Sequence, residues 1–326
     1  MKYTHLGSTG LTVSRLCLGT MNFGPQTSEP DSFAIMDHAH EVGINFFDSA
    51  NFYGGPGNAG LTETIIGNWF ATGGGRRDKT VIATKLYASM TDWPNDGKLS
   101  ALNIRRACDA SLKRLQTDYI DVYQMHHIDR RTPWEEIWEA MAVLRAQGKI
   151  IYVGSSNFAG WHIAQAQEAA RRRNFLGLAS EQSIYNLLER TVELEVLPAA
   201  EHYGLGVIPW SPLQGGLLAG IIKKQASGDV GRSNADVTNK HLEALRPTIQ
   251  AWEDFCAERD ENPADTALAW LLHQQAVTAP IIGPRTMAQL DGSLRSLDIT
   301  LDAAALAELD AMFPGPGGTA PEAYAW

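Results

Sequence analysis

Four reactive side chains lie at or just beyond the ends of three successive apolar runs in this chain of 326 residues. The runs begin at Ile44, Val81 and Ile120, and each has the pattern of a buried strand that ends in a polar group. The side chains are those of Asp48, Tyr53, Lys85 and His126. If the strands lie side by side and parallel, the four side chains meet at one rim.

An acid, a phenol, an amine and an imidazole at one rim suit the reduction of a carbonyl group, which needs a hydride on carbon and a proton on oxygen. A free tyrosine, with a pKa of about 10, is a weak donor at neutral pH. We expect the Lys85 ammonium to lower the pKa of Tyr53, and Asp48 to keep Lys85 charged. His126 would orient the substrate oxygen through a hydrogen bond. Each residue alone more often caps or solvates a strand end, so the prediction rests on the four together.

An alternation of short apolar strands and amphipathic helical segments places these residues, and it is repeated eight times along the chain. Strict alternation predicts parallel strands joined by helical crossovers. The predicted strands span residues 16–20, 44–50, 81–85, 120–126, 151–157, 178–182, 206–211 and 280–283.

Both an open doubly wound sheet and a closed barrel satisfy this alternation. The eight units favour the barrel, as does the glycine cluster at 73–75, which precedes the third strand instead of following a strand into a helix. We predict an α/β fold, a single-domain (β/α)8 TIM barrel over residues 1–326, with its active site at the carboxyl ends of the strands. A hairpin at 2–14 precedes the barrel, and the tail at 314–326 is either flexible or folded over the rim. A longer, mobile loop is predicted at 221–236.

Composition limits the classes of function. The chain is 44% hydrophobic and 20% charged, as in an ordinary globular protein. Its formal net charge of −10 opposes non-specific binding to nucleic acid. The widely spaced Cys17, Cys108 and Cys256 suggest no disulfide framework and favour a reducing compartment. Because the sequence has no signal-peptide pattern and no apolar run of about 20 residues, we expect a cytoplasmic protein without membrane contact.

Short motifs along nearly the whole chain resemble those of the aldo-keto reductase superfamily, which includes potassium-channel β-subunits. The motifs are Leu18-Gly19-Thr20-Met21, Asp48-x-Ala50-x-x-Tyr53-Gly54, Ala83-Thr84-Lys85, Asp121-Val122-Tyr123-Gln124-Met125-His126, Gly154-Ser155-Ser156-Asn157-Phe158 and Trp210-Ser211-Pro212-Leu213. The resemblance implies that Asp48, Tyr53, Lys85 and His126 form a catalytic tetrad with Tyr53 as the general acid. It also implies NADP(H) bound without a Rossmann fold and a small-molecule carbonyl substrate.

A nicotinamide cofactor needs its carboxamide held, its ring covered and its phosphates bound. Ser156, Asn157 and Gln182 suit the first task, and Trp210 suits the second by stacking. The glycine-containing loop after strand seven can bring N–H groups to a pyrophosphate, and Arg285 can meet a 2′-phosphate where such barrels hold phosphate. The predicted cofactor residues are Thr20, Met21, Asp48, Ser156, Asn157, Gln182, Trp210, Ser211, Pro212, Leu213, Gly215, Gly283, Arg285 and Gln289. The resemblance assigns Arg285 and Gln289 to the adenosine end.

Aromatic residues near the same rim predict an apolar or aromatic-tolerant substrate pocket. Its predicted walls are Met21, Phe23, Phe52, Tyr87, Trp93 and His127. The family usually has a tryptophan where His127 stands, a departure that concerns the pocket and not the tetrad.

Two other functions are open alternatives. A nicotinamide-binding subunit that regulates a membrane channel would share the same cofactor site. A metal-dependent barrel hydrolase is suggested by His126-His127-x-Asp129. Adjacent residues of a strand point to opposite faces, so these two histidines are poorly placed to chelate one ion. We therefore expect no metal.

Overall fold

The computed structural model describes residues 1–228 and 235–324, and the chain opens with a hairpin. Strand β1 (Tyr3–His5) pairs antiparallel with β2 (Thr12–Ser14). At the turn, Gly7 has φ +57°, and a Cβ there would lie 2.4 Å from the carbonyl oxygen of Gly204. Only glycine tolerates both this conformation and this close approach, so the turn of the hairpin packs directly against the backbone at Gly204.

Eight parallel strands form one sheet within the described residues. Their bounds are β3 (Cys17–Gly19), β4 (Phe46–Asp48), β5 (Val81–Leu86), β6 (Ile120–Met125), β7 (Ile150–Ser156), β8 (Leu178–Gln182), β9 (Gly206–Val207) and β10 (Ile281–Ile282). Their spatial order is β10-β3-β4-β5-β6-β7-β8-β9. Hydrogen bonds from Val207 N to Ala276 O, 3.1 Å, and from Ile281 N to Pro209 O, 2.9 Å, join the two outer strands. The sheet therefore closes into a (β/α)8 barrel.

Helices alternate with the strands, and several begin at a capping side chain. Ser28, Ser100 and Asn262 each accept a hydrogen bond from a backbone N–H of the first turn. The helices in the described residues are α1 (Glu29–Glu41), α2 (Leu61–Ala71), α3 (Ala101–Leu115), α4 (Trp134–Ala146), α5 (Gly160–Arg172), α6 (Val196–Tyr203), α7 (Ile221–Ala226), α8 (Ala235–Glu258), α9 (Pro263–His273), α10 (Met287–Leu294) and α11 (Ala303–Met312).

Two apolar cores hold these layers together. Inside the barrel, Leu6 and Val13 of the hairpin share a cluster with Phe46 and Val122, so the hairpin plugs the amino-terminal end of the barrel. The larger core lies outside the strands, beneath the helices, and includes the fully buried Trp138. With one end plugged, the carboxyl ends of the strands form the open end where a ligand can enter.

The predicted barrel is confirmed, while the prediction for 221–236 is partly wrong. Residues Ile221–Ala226 form α7 and α8 begins at Ala235, whereas residues 229–234 lie outside the described part. The described tail contacts the segment after β8, where Ala320 N donates to Leu194 O at 2.9 Å. No helix among residues 1–228 and 235–324 is long and apolar enough to cross a membrane.

Replacing Gly67 by alanine tests the packing of α2 on α3. A Cβ at Gly67 would lie 2.0 Å from the carbonyl oxygen of Arg114, so the two helices must separate. We expect Gly67→Ala to lower the free energy of unfolding by about 1–3 kcal/mol, measured by urea denaturation. At Gly10 a Cβ meets nothing within 4 Å in the described structure, so Gly10→Ala is the matched control. Equal stability of the two variants would contradict the close helix contact.

Candidate active site

A buried ion pair joins the ends of two neighbouring strands. Asp48 closes β4, Lys85 lies in β5, and Lys85 Nζ is 2.6 Å from Asp48 Oδ2. The ammonium also donates to the carbonyl oxygen of Ser49 at 2.9 Å. Lys85 is fully buried. Burial alone would lower the pKa of Lys85, but the attraction of Asp48 and Tyr53 outweighs it and the pKa is raised, so the lysine is charged at neutral pH.

Two glutamine side chains donate hydrogen bonds to the second carboxylate oxygen of Asp48. Gln124 of β6 donates from Nε2 at 3.0 Å and Gln182 of β8 at 2.8 Å, both to Oδ1. The network therefore ties together the carboxyl ends of four strands. Sequence reasoning did not single out Gln124. A glutamine inside an otherwise apolar strand is the signal that could have found it, because a buried amide requires partners.

Tyr53 lies just beyond β4 with its phenol oxygen 3.2 Å from Lys85 Nζ. Burial raises the pKa of Tyr53 more than the Lys85 ammonium lowers it, and Asp48 adds to the rise. The pKa thus lies above its ordinary value, which corrects the expectation of a net decrease. Tyr53 therefore keeps its proton at neutral pH.

His126 follows β6 and faces Tyr53, with ring centroids 6.0 Å apart and an interplanar angle of 80°. Phe52 covers the imidazole from another side, with a centroid distance of 5.3 Å. Burial, followed by the charges of Lys85 and His127, lowers the pKa of His126 to about 3. Its Nδ1 is buried without a hydrogen-bond partner among the described residues. His126 is therefore a neutral ring whose hydrogen-bonding capacity is not fully used within the chain.

A cavity of about 870 Å³ opens above these side chains. Asp48, Tyr53 and His126 line it, while Lys85 lies beneath them. Every residue predicted for the cofactor also lines the cavity: Thr20, Met21, Asp48, Ser156, Asn157, Gln182, Trp210, Ser211, Pro212, Leu213, Gly215, Gly283, Arg285 and Gln289. The lining also includes polar residues that sequence reasoning missed: Asn22, Lys224, Gln225, Asn262, Asp265 and Ser293.

Some of the residues predicted for the substrate walls line the cavity, and others lie outside it. Phe52 lines the cavity, but Phe23 is fully buried in the outer core, where its ring contributes to packing. Trp93 is 78% exposed and does not line the cavity. Tyr87 and His127 contact each other outside the lining, with ring centroids 5.6 Å apart. The structure thus brings Met21 and Phe52 to the cavity and leaves the other four residues outside it.

At the end of the cavity near the tetrad, several hydrogen bonds fix the side-chain amide of Asn157. Asn157, in the left-handed region with φ 59°, donates from Nδ2 to Ser156 Oγ at 3.0 Å and to the carbonyl oxygen of His126 at 3.2 Å. Its Oδ1 accepts from Trp210 Nε1 at 3.1 Å. The indole and the amide are therefore oriented together next to the tetrad.

The middle and far end of the cavity have features that suit phosphates. Gly215 has φ +63°, and a Cβ there would meet nothing within 4 Å in the described structure, which leaves room beside its backbone. Beyond it, Gln289 of α10 accepts from the backbone N–H of Arg285 at 2.8 Å through Oε1. The Arg285 guanidinium has no ion-pair partner within residues 1–228 and 235–324. Amides at one end, an open glycine loop between and a free guanidinium at the other end fit a dinucleotide.

Comparison with known proteins identifies the family of this chain. The family model described as the aldo/keto reductase family matches residues 15–313. This chain belongs to the aldo/keto reductase family. It is 56% identical over 331 residues, across the whole of both chains, to the uncharacterized oxidoreductase YrpG of Bacillus subtilis.

More distant relatives carry different names. The chain is 32% identical over 330 residues to the versiconal hemiacetal acetate reductase of Aspergillus parasiticus, covering 92% of this chain and 94% of that protein. It is 34% identical over 316 residues to a probable voltage-gated potassium channel subunit beta of rice, Oryza sativa subsp. japonica, covering 92% of each. The recognition of the family from the sequence motifs is confirmed. Membership supports an oxidoreductase that acts on carbonyl compounds.

In this aldo/keto reductase the side chains of the adjacent His126 and His127 have different neighbours. The His126 ring contacts Tyr53 and Phe52, whereas the His127 ring contacts Tyr87. Among the residues that the structure describes, no three His, Cys, Asp or Glu side chains are grouped closely enough to hold a metal ion.

A buried carboxylate, which the sequence analysis also missed, holds the strand ends of this reductase. Glu181 of β8 accepts hydrogen bonds from Ser155 Oγ, from Ser183 Oγ at 2.6 Å and from Phe158 N at 3.1 Å. It thereby fastens the loop that carries Asn157. Burial raises the pKa of Glu181 to about 7, against the lowering effect of these hydrogen bonds.

Glu181→Gln should remove a pH-dependent part of the stability. Because the folded-state pKa of Glu181 is about 7 and its ordinary value 4.5, its contribution is full below pH 4.5 and is lost as the pH rises through 7. A difference of this size corresponds to about 3 kcal/mol. Urea denaturation of wild type and variant from pH 4 to pH 8 measures it.

The exposed Glu135 provides the matched control, because Glu135→Gln should leave the pH dependence of the wild type unchanged. If Glu181→Gln shows the same pH dependence as the wild type, the carboxylate is already ionised in the folded protein at low pH and the predicted effect is wrong.

Proposed function

We propose that this chain reduces aldehydes and ketones to alcohols with NADPH, with Tyr53 as the general acid. The observation that carries the proposal is the position of the Lys85 ammonium between Asp48 and Tyr53, 2.6 and 3.2 Å away, at the base of the cavity. This arrangement supplies a proton donor and stabilises the anion that remains after proton transfer.

The bound nicotinamide would supply the hydride to the carbonyl carbon. Ser156, Asn157 and Gln182 would hold its carboxamide, and Trp210 would cover one face of its ring. Arg285 would pair with the 2′-phosphate, which favours NADPH over NADH. The left-handed Gly215 leaves room for the pyrophosphate beside the backbone.

The chain's own groups account for the movement of the proton. Tyr53 is protonated in the resting site because burial raises its pKa. As its proton moves to the substrate oxygen, the developing phenolate is stabilised by Lys85, which Asp48 holds in place. His126 stays neutral because its pKa is lowered to about 3, so its N–H donates to the substrate oxygen and orients it. Phe52 gives the substrate an apolar wall.

A second candidate function is the regulation of a membrane channel by a nicotinamide-binding subunit. It is favoured by the 34% identity to the rice protein named as a probable potassium channel subunit beta. Both candidates require the cofactor cavity, and a measurement of carbonyl turnover distinguishes them.

For the compartment, the cytoplasm remains our proposal, since the buried Cys17, Cys108 and Cys256 are free thiols that suit a reducing environment.

Tyr53→Phe tests the role of the phenol. Removal of the hydroxyl takes away the proton donor without emptying the site, so kcat with an activated aromatic aldehyde should fall about 10²- to 10⁴-fold. The dissociation constant for NADPH should change little. Loss of NADPH absorbance measures turnover, and fluorescence titration measures binding.

Tyr203→Phe is the control, since that hydroxyl contacts Glu168 at the surface. Retained turnover in Tyr53→Phe would refute the assignment of the general acid. NADPH binding without turnover of any aldehyde by the wild type would instead favour the regulatory function.

Arg285→Ala tests the preference for NADPH. Loss of a charge-assisted contact to the 2′-phosphate should raise the dissociation constant for NADPH about 10- to 100-fold, with little change for NADH, which lacks that phosphate. Arg295→Ala is the control because Arg295 pairs with Glu261 at 2.8 Å outside the cavity lining. Equal weakening of both cofactors by Arg285→Ala would show that Arg285 does not read the 2′-phosphate.

A further inference from the structure

The far end of the cavity contains a carboxylate that the proposed mechanism does not use. Asp265, in the first turn of α9, lines the cavity together with Gly292 of α10. An ideal Cβ on Gly292 would lie 4.0 Å from Asp265 Oδ1. Glycine at 292 therefore leaves open space directly beside the carboxylate.

Asp265 has no hydrogen bond or ion pair within the described residues, although it is half-buried. Burial, followed by the negative charge of Glu261, raises its pKa to about 6, while Arg295 and Lys224 oppose the rise. Arg295 is itself paired with Glu261. At neutral pH Asp265 is thus mostly an ionised acceptor that faces the cavity with its hydrogen-bonding capacity free.

A carboxylate can only accept hydrogen bonds, so its ligand group must be a donor. A phosphate at this position would be repelled by like charge, and the Arg285 guanidinium provides a cation for phosphate in the same lining. The donors in the adenosine part of a dinucleotide are the ribose hydroxyls and the exocyclic amine of adenine.

Position along α10 separates these two donors. Arg285 precedes the helix, and Gly292 lies five residues after its first residue, Met287, or about 7–8 Å along the axis at 1.5 Å per residue. The ribose stays near Arg285 because it carries the 2′-phosphate. The group that reaches Gly292 is then the base, and Ala264, Leu268 and Ala288 provide apolar surface for it in the lining.

We propose that Asp265 accepts a hydrogen bond from the exocyclic amine of adenine and so selects adenine dinucleotides over those with a 6-oxo purine. The assignment rests on the proposed use of NADPH. It makes Asp265 a specificity-determining residue for the cofactor, acting through the base, where Arg285 acts through the 2′-phosphate.

Binding of NADPH and of its hypoxanthine analogue, which has a carbonyl oxygen where adenine has the amine, tests the assignment by fluorescence titration. The wild type should bind NADPH about 10- to 100-fold more tightly, because the analogue loses a hydrogen bond to a charged acceptor. In Asp265→Asn the preference should fall severalfold or more, since the side-chain amide donates to the carbonyl oxygen. Asp265→Ala should weaken NADPH binding and barely change binding of the analogue.

Glu261→Gln is the matched control: Glu261 is a neighbouring carboxylate, four residues earlier and before the start of α9, and it lies outside the lining. It should keep the preference of the wild type. An unchanged preference in both Asp265 variants, with NADPH still bound, overturns the role of Asp265 and leaves the proposed function intact. Failure of the wild type to bind either dinucleotide overturns the proposed function and this assignment with it.

Discussion

The buried ion pair between Lys85 and Asp48 is the interaction on which the rest of the site depends. An ammonium and a carboxylate removed from water are tolerable only if their remaining hydrogen bonds are satisfied. Here Ser49 and Tyr53 contact the ammonium, and the amides of Gln124 and Gln182 complete the carboxylate. The requirement reaches across four strands, β4, β5, β6 and β8, so the placement of these strand ends and the stability of the charge pair depend on each other.

The sequence allowed prediction of the barrel and of residues at its strand ends. Parallel strands must end at one edge, so side chains separated by tens of residues, such as Asp48 and Lys85, come together once the topology is known. No such rule places the side chains of loop residues. Phe23 and Trp93 were both predicted to line the pocket, yet one ring lies in the core and the other is 78% exposed. Periodicity specifies strand faces but not the path of an irregular loop.

The far end of the cavity was harder to predict for another reason. Asp265 and Asn262 lie in and before α9, where an asparagine, a proline and an acidic residue are the ordinary pattern of a helix start. Nothing in that pattern separates a capping turn from a cavity wall. Only the packing of α9 beside α10 gives Asp265 a second role. Glu181 was hidden likewise, because a single polar residue within a strand does not reveal which loop it will hold.

Charge is distributed unevenly along the cavity, and this bears on the proposed reaction. Near the reacting atoms, Lys85 and Asp48 neutralise each other, while His126 is neutral and Tyr53 protonated. Arg285, which has no ion-pair partner among the residues that the structure describes, lies at the opposite end. Attraction for an anionic dinucleotide is therefore concentrated at its phosphates, remote from the hydride. Binding energy gained there can position the nicotinamide without placing a net charge beside the carbonyl, so the Lys85 ammonium is left to stabilise the phenolate as it forms.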